Sequence, residues 1–211
     1  MAEPCKYTGK KVLLVEGKND CHVIYALCEA HGVPETFGLY NCESGDGVLK
    51  RLNALMHPTD PPETIGVILD VDDRTIESRW QQIKEKIKAY GYDFSENPDP
   101  VGTVLPVNGD KPRLGIWLMP NNQDPGMLED FLLSLANVGS VSFASESVDC
   151  AKAKGLTTFK EVHHSKAVIH TYLAWQDEPG KPLGQSITSH VLNPETDIAK
   201  CFTAWLTKLF C

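Results

Sequence analysis

Three carboxylates sit where apolar runs stop. "LLVEGKND" ends a buried-looking run at Glu16, and Asp20 follows within a turn. "TIGVILDVDD" ends a second run on Asp70 and Asp72, which an extended chain of period two sends to the same side. If the two strands are neighbours in a parallel sheet, Glu16, Asp70 and Asp72 converge at the carboxyl edge, where such sheets bind ligands. Three unpaired acids there repel one another and resist desolvation. A divalent cation removes that cost, and hard oxygen donors with room for water and phosphate suit magnesium or manganese. On this reading, neutralising Asp72 should stabilise the metal-free protein.

The elements that must position these acids follow from periodicity. Residues 11–15 (KVLLV) read as a buried strand, and Val23, Ile24, Leu27 and Cys28 fall at helical spacing after it. Thr36–Asn41 reads as a short strand, "ESGDG" as its breaker, and Val48, Leu52 and Leu55 as a helix. "TIGVILD" is a β-branched strand, followed by an apolar stripe of Ile76, Trp80, Ile83, Ile87 and Tyr90. This alternation predicts an α/β fold with a parallel sheet and right-handed crossovers. Past the polar loop "YDFSENPDP", residues 101–120 predict two strands around Asn108-Gly109, a hairpin signal. A helix over about 126–135, an undefined stretch to Leu156, a helix over about 159–176 and a Pro/Gly loop (EPGKPLGQ) come next. A last helix carries Ile198, Cys201, Phe202, Trp205, Leu206, Leu209 and Phe210 on one face. We expect one domain over residues 1–211, a core of about 10–120 with a helical C-terminal extension of about 121–211.

A Glu-Gly after the first strand with Asp-x-Asp after the third resembles the Toprim domain of topoisomerases, bacterial primases, ribosomal-RNA maturases and OLD (overcoming lysogenization defect) nucleases. The resemblance covers roughly residues 10–120. "EGKND" is similar to the Glu-x-x-x-Asp of the OLD-type branch and of stand-alone bacterial Toprim proteins, which adds Asp20 to Glu16. "PGMLEDF" offers Glu129, with Asp130 beside it, and "HHSKAVIHTYLAW" offers Lys166 in the place of that branch's catalytic lysine. The resemblance implies that Glu16, Asp20, Asp70, Asp72 and Glu129 hold one or two Mg2+ or Mn2+ ions. It also implies that Glu16 and Lys166 are catalytic and that phosphodiester bonds of DNA or RNA are hydrolysed. The chain departs from the branch in lacking a Gly-x-x-x-x-Gly-Lys-Ser/Thr loop, so any ATPase must be a separate partner. A topoisomerase's tyrosine-bearing domain and a primase's zinc ribbon are missing too, leaving nuclease as the expected chemistry.

Other readings of the same residues stay open. Asp20 serves equally as a helix cap, and Glu129 as a complement to a helix dipole. Gly45-Asp46-Gly47 suits a phosphate or a capped turn. Asp73 and Arg74 are placed to order the acidic pair, or to sit exposed at a helix start. Lys166 shares a helical face with Val162, Ile169 and Leu173, where a lysine needs its stem to reach the rim. His163 and His164 are acid–base candidates that point different ways. A haloacid-dehalogenase-like phosphatase also uses an acidic motif, but Arg74 occupies the position it reserves for Thr or Val. A non-catalytic Toprim module binding metal or nucleic acid is the third alternative.

Composition bounds these readings. The chain has 211 residues, 42% hydrophobic and 23% charged, ordinary values for a globular protein. A net charge of −8 excludes a protein that coats nucleic acid non-specifically. Four lysines (Lys152, Lys154, Lys160, Lys166) against Glu161 make residues 150–170 a better place for a polyanion. Seven scattered cysteines without a Cys-x-x-Cys pair suggest reduced thiols rather than a disulfide framework. Without an apolar leader or a bilayer-length run, the expectation is a cytoplasmic protein with no membrane partner. Homo-oligomerisation is left open.

Overall fold

The computed structural model describes residues 9–57, 60–107 and 109–211. The N-terminal residues read for a leader, Cys5 among them, and Asn108 of the expected hairpin tip lie outside these. Five strands form one sheet: β1 (Lys11–Val15), β2 (Gly38–Asn41), β3 (Thr64–Asp70), β4 (Thr103–Leu105) and β5 (Arg113–Met119), in the order β2-β1-β3-β5-β4. β1 runs parallel to β2 and β3, and β3 parallel to β5; only β4, at one edge, is antiparallel. β1 and β3 are therefore neighbours, as the convergence of Glu16 with Asp70 requires.

Strand alternation divides the core in two. Val12, Leu14, Ile65, Val67, Leu69, Leu114, Ile116 and Leu118 face α2 (Gly45–Leu55) and α3 (Ile76–Ile87), where they meet Leu49, Leu52, Trp80 and Ile83. Leu13, Val15, Ile68, Trp117 and Met119 face α1 (Lys18–His31) and every helix after the sheet. These are α4 (Leu128–Leu133), α5 (Val138–Ala153), α6 (His164–Ala174), α7 (Leu183–Thr188) and α8 (Asp197–Phe210). Gly66 and Gly115, register partners on β3 and β5, open a trough under α8. A Cβ on Gly115 would lie 2.3 Å from Leu209 Cδ2, and one on Gly66 3.0 Å from the same atom. The helix seats there only because both residues lack a side chain.

Several expectations change. The second strand begins at Gly38 rather than Thr36, and the helix expected over 126–135 covers only Leu128–Leu133. The undefined stretch is mostly helix α5, whose buried residues are only Ala144 and Val148 while Val138 and Phe143 are exposed. Such a helix leaves little apolar stripe to read. The expected helix over 159–176 splits into a 3-10 turn, Glu161–His163, and α6. α7 begins inside the Pro/Gly loop, directly after Pro182, whose fixed φ suits a helix start. Cys28, Cys42, Cys150, Cys201 and Cys211 are free thiols. Cys21 is disulfide-bonded, which corrects the expectation of reduced thiols throughout.

Candidate functional site

Glu16 leaves β1 as the backbone turns into α1, and its Oε1 accepts the Asp70 N–H at 2.9 Å. Burial raises its pKa, while that hydrogen bond and the Arg79 guanidinium oppose the shift. Asp20 lies in the first turn of α1 with 6% of its surface exposed. Gly17, not Asp20, occupies the cap position, and Asp20 Oδ1 is buried without a hydrogen-bond partner. Burial first, and the charges of Glu16 and Glu129 after it, push Asp20 up to about 7.

Asp70 closes β3, and its Oδ1 accepts the Leu128 N–H at 3.0 Å, joining the sheet edge to α4. Burial and then the charges of Glu16, Asp20, Asp72 and Glu129 push it up to about 9. Asp72 does not continue the strand. Its φ is +59°, and the N–H groups of Val71 and Asp72 both donate to the Gly126 carbonyl, at 2.9 and 2.8 Å. The period-two argument therefore fails for Asp72. It reaches the same cleft through a left-handed turn pinned to the loop before α4.

Arg79 braces that turn. It is 2% exposed, and it donates from Nε to the Asp70 carbonyl at 2.7 Å, from NH1 to Gln82 at 3.0 Å and from NH2 to Asp72 Oδ2 at 3.2 Å. Arg74, expected to order the pair, donates to Gln82 instead, and Asp73 is exposed. Because Asp72 is matched to a buried guanidinium, neutralising it breaks that pair as well as removing its repulsion toward Glu16 and Asp70, so no net gain in stability is expected. That expectation passes to Asp70. Arg79 was overlooked among strand-end charges, although an arginine one residue before Trp80, on the stripe with Ile76 and Ile83, was a legible signal.

Glu129 is 6% exposed in the first turn of α4, and its Oε1 lies 3.4 Å from Lys166 Nζ. Asp130 turns away: it accepts the Met127 N–H at 2.8 Å and the Ser165 hydroxyl at 2.5 Å, tying the start of α6 to that of α4. Ile169 and Leu173 are buried as expected, but Val162 is exposed in the 3-10 turn and the Lys166 side chain stands 47% exposed at the rim. His163 lines the cleft, whereas His164 turns outward to Asp149 at 2.8 Å. In the Gly45–Gly47 turn the cap is Ser44, whose Oγ accepts the Gly47 N–H at 3.1 Å.

Glu16, Asp20, Asp70, Asp72, Glu129 and Lys166 all line one cleft of about 530 Å³, together with Glu43, Lys18 and Asn19. Among the described residues, no three of His, Cys, Asp and Glu stand as a ready-made metal cage. The donor chemistry nevertheless fits a hard cation. The cleft holds a buried carboxylate oxygen with no partner and acids whose charged forms burial disfavours, and a cation would compensate both.

An acidic cleft at the carboxyl edge of a mostly parallel sheet, flanked by helices, defines the class of molecule: an α/β protein with its candidate site at the strand ends. The chain belongs to the family described as protein of unknown function (DUF3226), whose profile matches residues 10–211. No curated protein and no solved structure gives a match. Among the described residues, no helix is long and apolar enough to cross a membrane.

Proposed function

We propose that this protein is a Toprim-like nuclease that hydrolyses phosphodiester bonds with magnesium or manganese. One observation carries the reading: five carboxylates, from the residue after β1, from α1, from the end of β3, from the turn after it and from α4, line one cleft, with a lysine at its rim. Glu16, Asp20, Asp70, Asp72 and Glu129 would hold the metal. Bound there, a divalent cation supplies charge neutralisation at the phosphate and a lowered pKa for an attacking water.

The chain's own groups supply the rest. Asp70 and Glu16 are fixed by backbone N–H donors at 3.0 and 2.9 Å, so their free oxygens are pre-oriented. Arg79 holds Asp72 against the sheet edge. Lys166 is paired with Glu129 at 3.4 Å and stands ready to offset charge growing on the phosphate once a substrate competes for it. The substrate is DNA or RNA, the working compartment the cytoplasm, and an ATPase is a candidate partner.

The test is incubation of plasmid and RNA with purified protein in magnesium, manganese or chelator. Glu16→Gln and Lys166→Ala are run beside the wild type, with an aryl phosphomonoester as control. Cleavage should require metal, and Lys166→Ala should cut turnover about 100-fold while shifting metal affinity little. Chelator-resistant cleavage would overturn the proposal. Hydrolysis of the monoester alone would favour a phosphatase, and strand binding without cleavage a non-catalytic module.

A further inference from the structure

A second groove of about 440 Å³ adjoins the acidic cleft, and Glu43 lines both. One wall is a single face of α2, formed by Gly47, Lys50, Arg51 and Ala54 at i, i+3, i+4 and i+7. The other is the carboxyl end of edge strand β2, with Tyr40 and Asn41. Gly47 sets the two walls close together: a Cβ there would lie 2.0 Å from the Cys42 carbonyl oxygen.

Beside Glu43, this groove carries two cations, Lys50 and Arg51, whereas carboxylates predominate in the cleft. The Arg51 guanidinium sits 4.5 Å from the centroid of the Tyr40 ring. Its Nε–H is buried and has no acceptor. Among the described residues neither Lys50 nor Arg51 forms an ion pair, whereas Lys10, Lys152, Lys166, Lys181 and Lys200 all do. Lys50 and Arg51 lie side by side on one face of α2, in a chain of net charge −8. Unpaired cations with a guanidinium stacked on an aromatic ring match the way single strands are held, by charge along the backbone and by flat groups beneath the bases.

We infer that this groove binds the phosphodiester backbone of a single nucleic-acid strand, next to the linkage lying in the acidic cleft. The position of the cleaved linkage rests on the nuclease reading; the groove's affinity for a strand does not. The assignment makes the substrate a polynucleotide, since it places one stretch of backbone beside Lys50 and Arg51 and the neighbouring linkage in the cleft.

The experiment measures fluorescence anisotropy of end-labelled single-stranded DNA and RNA of roughly 12 nucleotides, in chelator, over a salt series. Wild type is compared with Lys50→Gln and with Lys50→Gln/Arg51→Gln. The double variant should bind about tenfold more weakly, and the slope of log affinity against log salt should shrink by about 1.4, two contacts at about 0.7 each. Lys50→Gln, which removes no ion pair within the protein, should supply about half of that slope change. The DNA and RNA arms report which sugar the groove accepts. In manganese, loss of oligonucleotide cleavage should exceed loss on a small bis-aryl phosphate diester at least fivefold. Equal binding by all three proteins, or equal loss on both substrates, overturns the inference. A wild type that binds strands through these residues yet cleaves neither substrate overturns the nuclease reading instead and leaves the groove assignment standing.

Discussion

Replacing Asp70 with Asn should make the metal-free protein more stable, and increasingly so as the pH rises. The folded, metal-free protein keeps the Asp70 proton up to about 9, while an unfolded aspartate releases it near 3.8. Between these values the folded state binds more protons than the unfolded one, so stability falls as pH increases. The slope for one proton is somewhat over 1 kcal/mol per pH unit. For a chain of this length that corresponds to about 3–5 °C in melting temperature per unit. Asn cannot ionise, and its amide oxygen can still accept the Leu128 N–H that Asp70 now accepts at 3.0 Å. The assay is a set of thermal melts in chelator from about pH 5 to about 8.5, repeated in magnesium. The variant should lose one proton's share of the wild-type decline and melt higher at the alkaline end. Magnesium, binding only the folded state, should lift the wild type far more than the variant. A variant that melts below the wild type throughout, with an unchanged pH slope, would refute the claim that folding holds a proton on Asp70.

Two further outcomes follow from contacts around the site. Arg79→Gln removes three hydrogen bonds made by a buried guanidinium and should cost about 2–3 kcal/mol in urea unfolding, with Arg79→Lys recovering only part because one ammonium cannot span three acceptors. Gly47→Ala places a methyl against the Cys42 carbonyl and should cost at least about 2 kcal/mol by the same measurement; wild-type stability would show that α2 is free to move off β2.

What was legible in the sequence followed how locally each feature is determined. β1, β3 and β5 were readable because strands covered on both faces are written as unbroken apolar runs. Glu16 and Asp70 were readable because a charge that stops such a run must lie at the sheet edge. Asp72 was picked for a wrong reason: nothing local announces a left-handed turn held by the carbonyl of Gly126, more than fifty residues later in the chain. α5 escaped because it buries so little, and α7 because Pro179, Gly180 and Pro182 hide a helix whose burial comes from contact with α1. Nothing local singles out Lys50 and Arg51, and only the fold shows that β2 turns their face into a groove.

The seating of α8 over Gly66 and Gly115 has a consequence for the order of events during synthesis. The strands that carry Glu16 and Asp70 are complete by Met119, yet the sheet face bearing Leu13, Ile68 and Trp117 is closed by Phe202, Trp205, Leu206 and Leu209, some ninety residues further on. At about 5–20 residues per second, the part of that face covered by α8 stays open on the ribosome for roughly 5–18 s after β5 has been made. A nascent chain arrested before α8 should therefore expose the trough at Gly66 and Gly115 and be held by chaperones.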